Sequence, residues 1–319
     1  MISIGIDLGG TNIKSAVVHS EKGLLNSYSV PTEASGGPER ILDRIAEAIK
    51  KASSDAPEKP MGVGIGSPGA ISWDRTSVSH PPNFPGWVTV NVSNEIYNRT
   101  GLKAIVDNDA NLMALGSSRF GAGRHMDSLI MLTLGTGVGG GIIYNRELYR
   151  GTTGGAGELG HVIIDYNGPE SNSNAKGGLE AYLGQRFLVR NALPLIRKHP
   201  ENPLAKKFLN DPDSMEPVDI SEEADKGNEL AIEIFANAGR LLGYAIANYI
   251  HILDIRNIIV SGGVAKAGKW ILEPAREAAL ERLMPPFVDG FEIIYEPLGN
   301  DAALLGAGSL AFEHIAHHR

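Results

Sequence analysis

Apolar side chains occupy every second position from Ile2 through Ile4 and Ile6 to Leu8, the period of a strand with a buried face. Two further apolar runs follow at once, Ile13 to Val18 and Leu24 to Val30, so the chain opens as a β-meander. The pattern then becomes helical. Gly37-Pro38-Glu39 supplies a proline and an acid for a first turn, and Ile41, Ile45, Ala48, Ile49 and Ala52 share one face. Met61 to Gly66 and Ala104 to Val106 read as short buried strands, separated by a loop rich in proline, asparagine and glycine from Ser67 to Gly86. With Ala110 to Ser117 as a helix, this half predicts a mixed sheet covered by helices.

The cycle restarts near Leu129. Strand Leu129 to Leu134, a glycine turn and strand Gly141 to Tyr144 echo the opening hairpin, which suggests two domains on one plan. Asn191 to Asn228, with its prolines and mixed charge, reads as a surface helical insertion with loops. Glu229 to Leu253 carries a long helical pattern, Ile258 to Val260 a buried strand, and Ser261-Gly262-Gly263-Val264 a small-residue turn before a helix. Asp301 to Ala316 reads as a terminal helix whose many small residues suit close packing.

Composition narrows the function classes. The 319 residues are 42% hydrophobic and carry 37 acidic against 29 basic side chains, a net charge of -8, with no basic run to attract nucleic acid. Cysteine is absent, which excludes disulfides and thiolate metal sites. Met1 leads straight into a strand without a signal-type segment, and the apolar stretch Leu241 to Leu253 is broken by Asn248 and His251. A cytoplasmic protein without membrane or nucleic-acid partners is expected.

Two glycine-rich turns carry the first chemical signal. Asp7-Leu8-Gly9-Gly10-Thr11-Asn12 and Leu134-Gly135-Thr136-Gly137-Val138-Gly139-Gly140-Gly141 each interrupt an apolar run. Glycine permits positive φ and close backbone approach, so N–H groups in such turns can converge on an anion, and two of them could hold a polyphosphate. A second signal is Asn108-Asp109, at the junction of a strand and a helix where ligand-facing groups gather in α/β sheets. One of this pair can cap the helix while the other faces a ligand. Glu158, His161 and Glu180 add carboxylates and an imidazole, the first two set among Gly154, Gly155, Gly157 and Gly160.

Taken in order, several short motifs resemble the ROK family of sugar kinases and repressors, within the actin and hexokinase superfamily. They are Asp7-Leu8-Gly9-Gly10-Thr11-Asn12-Ile13-Lys14, Gly64-Ile65-Gly66-Ser67-Pro68-Gly69, Asp107-Asn108-Asp109-Ala110-Asn111, Leu134-Gly135-Thr136-Gly137-Val138-Gly139, Gly157-Glu158-Leu159-Gly160-His161, Leu179-Glu180 and Ser261-Gly262-Gly263. The stretch Ala110 to Arg124 looks most like the glucokinases of that family. The resemblance spans essentially the whole chain. It implies an α/β two-domain actin-like ATPase (ribonuclease H-like) fold, each domain a mixed sheet flanked by helices, with the active-site cleft between them. The expected small domain is residues 1–110 plus 301–319, and the large domain 111–300.

The implied activity is ATP-dependent phosphorylation of a hexose at its 6-hydroxyl, with glucose expected and N-acetylmannosamine, N-acetylglucosamine, mannose or fructose as alternatives. A sugar-responsive regulator and a bare actin-like ATPase are the other readings. Phosphoryl transfer needs a neutralised triphosphate, an in-line hydroxyl and a base. Gly9, Gly10, Thr11, Asn12 and Lys14, with Gly135, Thr136, Gly137 and Gly139, are expected at the ATP phosphates, and Ser261, Gly262 and Gly263 at the adenosine. Asp7 is expected to hold Mg²⁺, directly or through water. The resemblance selects Asp109 as the base and Asn108 as a partner of a sugar hydroxyl. It assigns Glu158, His161 and Glu180 to the hydroxyls remote from the transferred phosphate, with Ser67, Gly69 and Asn83 on the opposite wall. A homodimer is expected.

One departure stands out. Most family members carry a Cys-x-Cys-Gly-x-x-Gly-Cys run that, with the histidine, binds structural zinc. Here Ser171, Ser173 and Gly178 hold the cysteine places, so no structural zinc is expected.

Overall fold

The computed structural model describes residues 1–173 and 175–315; Asn174 and Ala316, the expected end of the last helix, lie outside the described residues. Strands β1 (Ile2–Leu8), β2 (Asn12–His19) and β3 (Gly23–Pro31) form the antiparallel meander. Ile2, Ile4, Ile6 and Leu8 point into one apolar cluster, where helix α1 (Gly37–Ser54) buries Ile41, Ile45, Ala48, Ile49 and Ala52 as its periodicity requires. β4 (Val63–Ser67) then pairs parallel to β1.

The expected loop between Ser67 and Gly86 is more structured than its composition suggests. It carries β5 (Ala70–Ile71) and β6 (Val78–Ser79), which join β7 (Thr89–Val90) in a small antiparallel sheet. The cause is burial of Ile71, Val78 and Trp87, whose indole N–H donates to the Val78 carbonyl at 3.1 Å. Short strands among prolines and glycines leave no period to read. α2 (Val92–Thr100), capped by the Asn91 side chain, leads to β8 (Ala104–Asn108), parallel to β4, and then to α3 (Asp109–Phe120). The first sheet has the order β3-β2-β1-β4-β8.

The second cycle repeats the plan. β9 (Leu129–Leu134) and β10 (Val138–Tyr144) flank the glycine turn, and β11 (Glu147–Leu148) follows. β10 begins at Val138 rather than the expected Gly141, so the turn proper is Gly135 to Gly137 and Gly139 lies within the strand. Helices α4 (Glu180–Leu183), α5 (Gln185–Arg197), α6 (Pro203–Phe208) and α7 (Pro217–Asp225) come next. The segment expected to be a surface insertion is therefore packed into the second unit, with Phe208, Met215 and Ile220 buried and α5 and α7 against α8 (Glu229–Leu253). α8 is long and apolar enough to cross a membrane, but 61% of its most apolar window is buried in the protein. β12 (Asn257–Ser261), α9 (Lys269–Arg282) and β13 (Glu292–Tyr295) complete a sheet of order β11-β10-β9-β12-β13. The last helix, α10, runs Asp301–Ile315.

Residue contacts divide the chain into two compact units. One comprises Met1–Ser128, Gly141–Gly157 and the described part of Pro297–Arg319; the other comprises Leu129–Gly140 and Glu158–Glu296. In the first unit the face of β1 opposite the isoleucines is Ser3 and Gly5, and its small size has a cause: α10 lies against it. A Cβ on Gly5 would sit 2.2 Å from the Leu304 carbonyl oxygen, and one on Gly64 1.8 Å from that of Ala307. α3 meets the same helix, with Gly116 against Ala302 and Gly306 against Leu112. The small residues of α10 thus serve close packing, as expected. In the second unit Gly239 and Gly243 play this part between α8 and α9.

Candidate active site

In the first unit, three parallel strand ends place Asp7, Gly66 and Asp107 in register across β1, β4 and β8. The chain then turns into α3. Asn108 is its cap: the side-chain oxygen accepts from the N–H groups of Ala110 at 3.0 Å and Asn111 at 3.3 Å. Asp109 Oδ1 accepts from Ala110 N–H at 2.8 Å. Gly66, quoted in a motif but not among the expected site residues, packs against this turn: a Cβ there would stand 3.6 Å from the Asp109 Cα, an ordinary contact, and 3.2 Å from the Leu112 side chain, a tight one. Its signal was visible in the small residues of Gly64-Ile65-Gly66.

Both carboxylates are held in an environment that disfavours charge. Burial pushes the Asp7 pKa from 3.8 to about 6; Lys14, its cross-strand partner, opposes this, and the nearby Asp109 adds to it. Burial likewise raises the pKa of Asp109, against the pull of the N–H bonds it accepts. Two partly buried acids with elevated pKa values, one at a strand end and one at a helix start, form a site suited to a hard cation and to proton transfer.

The glycines predicted to line a nucleotide separate by cause. Gly9, Gly10, Gly135 and Gly137 do not adopt positive φ, so of the two reasons sequence offered for them only close backbone approach stands open. Gly9 is required by space, its Cβ position lying 2.8 Å from the Asn12 carbonyl oxygen, within the tight turn that Gly9 N–H and Asn12 close at 3.1 Å. Gly137 is required by the Glu180 carboxylate, which would lie 2.3 Å from an added Cβ. Gly262 needs both its φ of 101° and its closeness to the Leu134 carbonyl. Gly135 and Gly263 face open space, and Gly10 has only Asn83 within reach, at 3.6 Å. Neither dihedral nor packing demands glycine at these three, which is the condition expected where a ligand approaches the backbone. Thr11 and Asn12 are exposed beside Gly10, and Thr136 completes the second turn.

Of the remaining first-unit candidates, Ser67 is fully buried with its hydroxyl donating to the Pro68 carbonyl at 3.0 Å. Gly69 adopts φ 94° against Ser79 and Pro81, and Asn83 holds an exposed left-handed conformation, φ 68°.

In the second unit Glu158 precedes, and His161 ends, a short 3-10 turn, Leu159–His161. The turn is fixed by Gly160, whose missing Cβ admits the Val138 carbonyl, and by the Tyr249 hydroxyl, which donates to the Leu159 carbonyl. Glu158 Oε2 lies 3.6 Å from His161 Nε2. Glu180, at the start of α4, accepts the Val138 N–H at 3.2 Å and so packs directly on the second glycine turn. That contact was not legible in the sequence, because residues 138 and 180 are joined only by the fold.

The zinc implied by the resemblance does not fit these residues. Ser173 Oγ lies 3.2 Å from His161 Nδ1 and 2.8 Å from Ser171 Oγ, and Gly178 has no side chain to offer. A chain of neutral hydroxyls ending on an imidazole is a hydrogen-bonded relay, not a donor set for zinc. The loop is further held by the Ile163 and Gly178 bridge, by Leu179 N–H to the Val162 carbonyl at 3.0 Å, and by Tyr182 to Asp165 at 2.9 Å.

Comparison with known proteins agrees with this geometry. The model of the ROK family matches residues 3–314. A glucokinase of Thermotoga maritima is 38% identical over 312 residues, 98% of either chain. The solved structure of a ROK family glucokinase from Streptomyces griseus, in complex with glucose and AMPPNP, is 34% identical with a TM-score of 0.81, covering 98% of this chain and 100% of its own. A ROK hexokinase from Thermus thermophilus is 29% identical with a TM-score of 0.81, covering 99% and 100%. With strand order, glycine turns and the Asn108-Asp109 helix start all in place, the chain belongs to the ROK family and has its actin-like α/β fold.

Proposed function

We propose that this chain transfers the γ-phosphoryl group of ATP to the 6-hydroxyl of glucose. The observation that carries the reading is Asp109: a partly buried carboxylate of raised pKa, fixed at the first turn of α3 beside Asn108, in a chain similar throughout to glucokinases. A carboxylate whose pKa is moved toward neutrality is a better general base than an exposed one. Asp109 takes the proton of the 6-hydroxyl as the oxygen bonds to the γ-phosphorus, and the bond to the bridging oxygen of ADP breaks.

Asp7 is suited to Mg²⁺, directly or through water, because the ion takes few carboxylates and keeps waters. Bound there with the triphosphate, it would neutralise phosphate charge. The open faces of Gly10, Gly135 and Gly263 leave the protein backbone accessible to the nucleotide, and Thr11, Asn12 and Thr136 offer hydroxyl and amide donors. Asn108, Glu158, His161 and Glu180 hold sugar hydroxyls. Glu180 spends Oε2 on Val138 N–H, which leaves Oε1 to accept from the sugar and links sugar binding to the phosphate turn. The reaction needs ATP, and the reading puts the enzyme in the cytoplasm.

A coupled assay of ADP release tests the substrate. The expected order has glucose first in kcat/KM among glucose, mannose, fructose, N-acetylglucosamine and N-acetylmannosamine. A higher value for another sugar replaces the substrate, and ADP release independent of any sugar removes the kinase reading.

A further inference from the structure

The residue before Asn108 and Asp109 is a buried, multiply bonded carboxylate. Asp107 is fully buried and carries four contacts. Its Oδ1 accepts the Asn108 N–H at 2.8 Å and the Asn111 side-chain amide at 2.9 Å; its Oδ2 accepts from Arg75 Nε at 2.8 Å and is ion-paired with Arg150 Nε at 3.1 Å, a contact without hydrogen-bond geometry. Both arginines are themselves held. Arg150 donates to the carbonyls of Trp73 at 2.8 Å and Ser72 at 3.1 Å, and its guanidinium lies over the Trp73 ring. The Arg75 carbonyl accepts the Val106 N–H at 2.9 Å, which fastens the turn to β8 itself. Gly154 lets Arg150 into place, since a Cβ there would stand 3.0 Å from the guanidinium.

A buried ion cluster of this kind is weak evidence for stability, because desolvation offsets the attraction. Its geometry has a clearer consequence. Two of the contacts to Asp107 fix the backbone at Asn108 and the first turn of α3, the two parts that aim Asn108 and Asp109, and the two arginines anchor Asp107 itself. We propose that Asp107, gripped by Arg75 and Arg150, is a positioning residue that sets the carboxylate of Asp109 against the acceptor hydroxyl. This rests on the reading of Asp109 as the base. Rigid support matters there because a misplacement of about 1 Å at a reacting group costs on the order of 10²-fold in rate.

A double-mutant cycle in the full chain tests it. Arg150→Lys keeps the charge but loses the fork that joins Asp107 to the Ser72 and Trp73 carbonyls, and it avoids the unpaired guanidinium groups that Asp107→Asn leaves. Active sites are counted by calorimetric titration with glucose, so that unfolded protein does not enter kcat. Arg150→Lys is expected to lower kcat by about 10-fold to 10²-fold with KM for glucose and ATP within about threefold. On an Asp109→Asn background the same change is expected to lower the residual rate by less than about twofold, since the group it positions is gone. Asp107→Asn is expected to show the same dependence on background. Equal losses on the two backgrounds would overturn this proposal alone. A wild-type kcat for Asp109→Asn itself would overturn both the proposal and the base assignment beneath it.

Discussion

At the residue scale, Asp7 ties stability to chemistry. Its pKa rises from 3.8 to about 6 in the fold, so between these values the native state holds a proton that the unfolded chain releases. Stability therefore falls as pH rises through that window and stays lowered above it, by about 3 kcal/mol at about 1.4 kcal/mol per pH unit. Asp7→Asn removes the ionised form. It is expected to melt at higher temperature than wild type at pH 7.5, with the difference gone at pH 4, while kcat drops for want of the carboxylate that holds Mg²⁺. An equal gain at both pH values would show that ionisation is not the cause. Burial also raises the pKa of Asp109, so the rate is expected to fall as pH is lowered and the base takes up its proton.

The glycines make the same point by contrast. Gly135→Ala meets nothing within 4 Å and is expected to fold normally while raising KM for ATP; Gly137→Ala drives into Glu180 and is expected to raise KM for glucose as well. If Gly135→Ala binds ATP as wild type does, the nucleotide does not approach that turn. Of the two reasons sequence offered for glycine at these turns, positive φ and close approach of a ligand to the backbone, the first does not hold at Gly135 and Gly137. Space, which depends on a residue far along the chain, accounts for Gly137 but not for Gly135, which meets nothing.

At the scale of elements, α10 is held by close packing and the serine loop by hydrogen bonds. The glycine and alanine seam of α10 meets backbone at distances no side chain tolerates: a Cβ on Gly306 would lie 1.7 Å from the Leu112 carbonyl oxygen of α3. Overpacking costs typically about 1–3 kcal/mol, and more where backbone must yield. Gly306→Ala is expected to lower the denaturation midpoint and, because α3 carries Asp109 at its start, to lower kcat in the protein that remains folded. An unchanged midpoint would mean the two helices are not in contact in solution. Around residues 162–178 the hydroxyls of Ser171 and Ser173 take over the orientation of His161. Ser173→Ala is expected to raise KM for glucose several-fold and leave KM for ATP alone, and a zinc chelator with Mg²⁺ in excess should leave activity intact. One zinc per chain by metal analysis would contradict this account of the loop. The missing thiols were plain in the sequence, whereas the hydrogen bonds that replace them depend on a register between Ile163 and Gly178 that no local pattern encodes.

For the whole molecule, the plan was legible because it is written in period and order. Alternating isoleucines gave β1, the Ile41 to Ala52 stripe gave α1, and the repeat at Leu129 gave the second sheet. What escaped was short or long-range: the two-residue strands β5 and β6, the nine-residue helix α2, the strand β13, and the Asp107 cluster assembled from residues 75, 107 and 150. Neither periodicity nor composition marks an arginine that will be buried. The central claim is a single reaction, and phosphorus NMR of the purified chain incubated with ATP, Mg²⁺ and glucose tests it most directly. The account predicts glucose 6-phosphate and ADP appearing in equal amounts, with no ADP formed when glucose is left out. Inorganic phosphate appearing in place of the sugar phosphate, at the same rate with and without glucose, would contradict it.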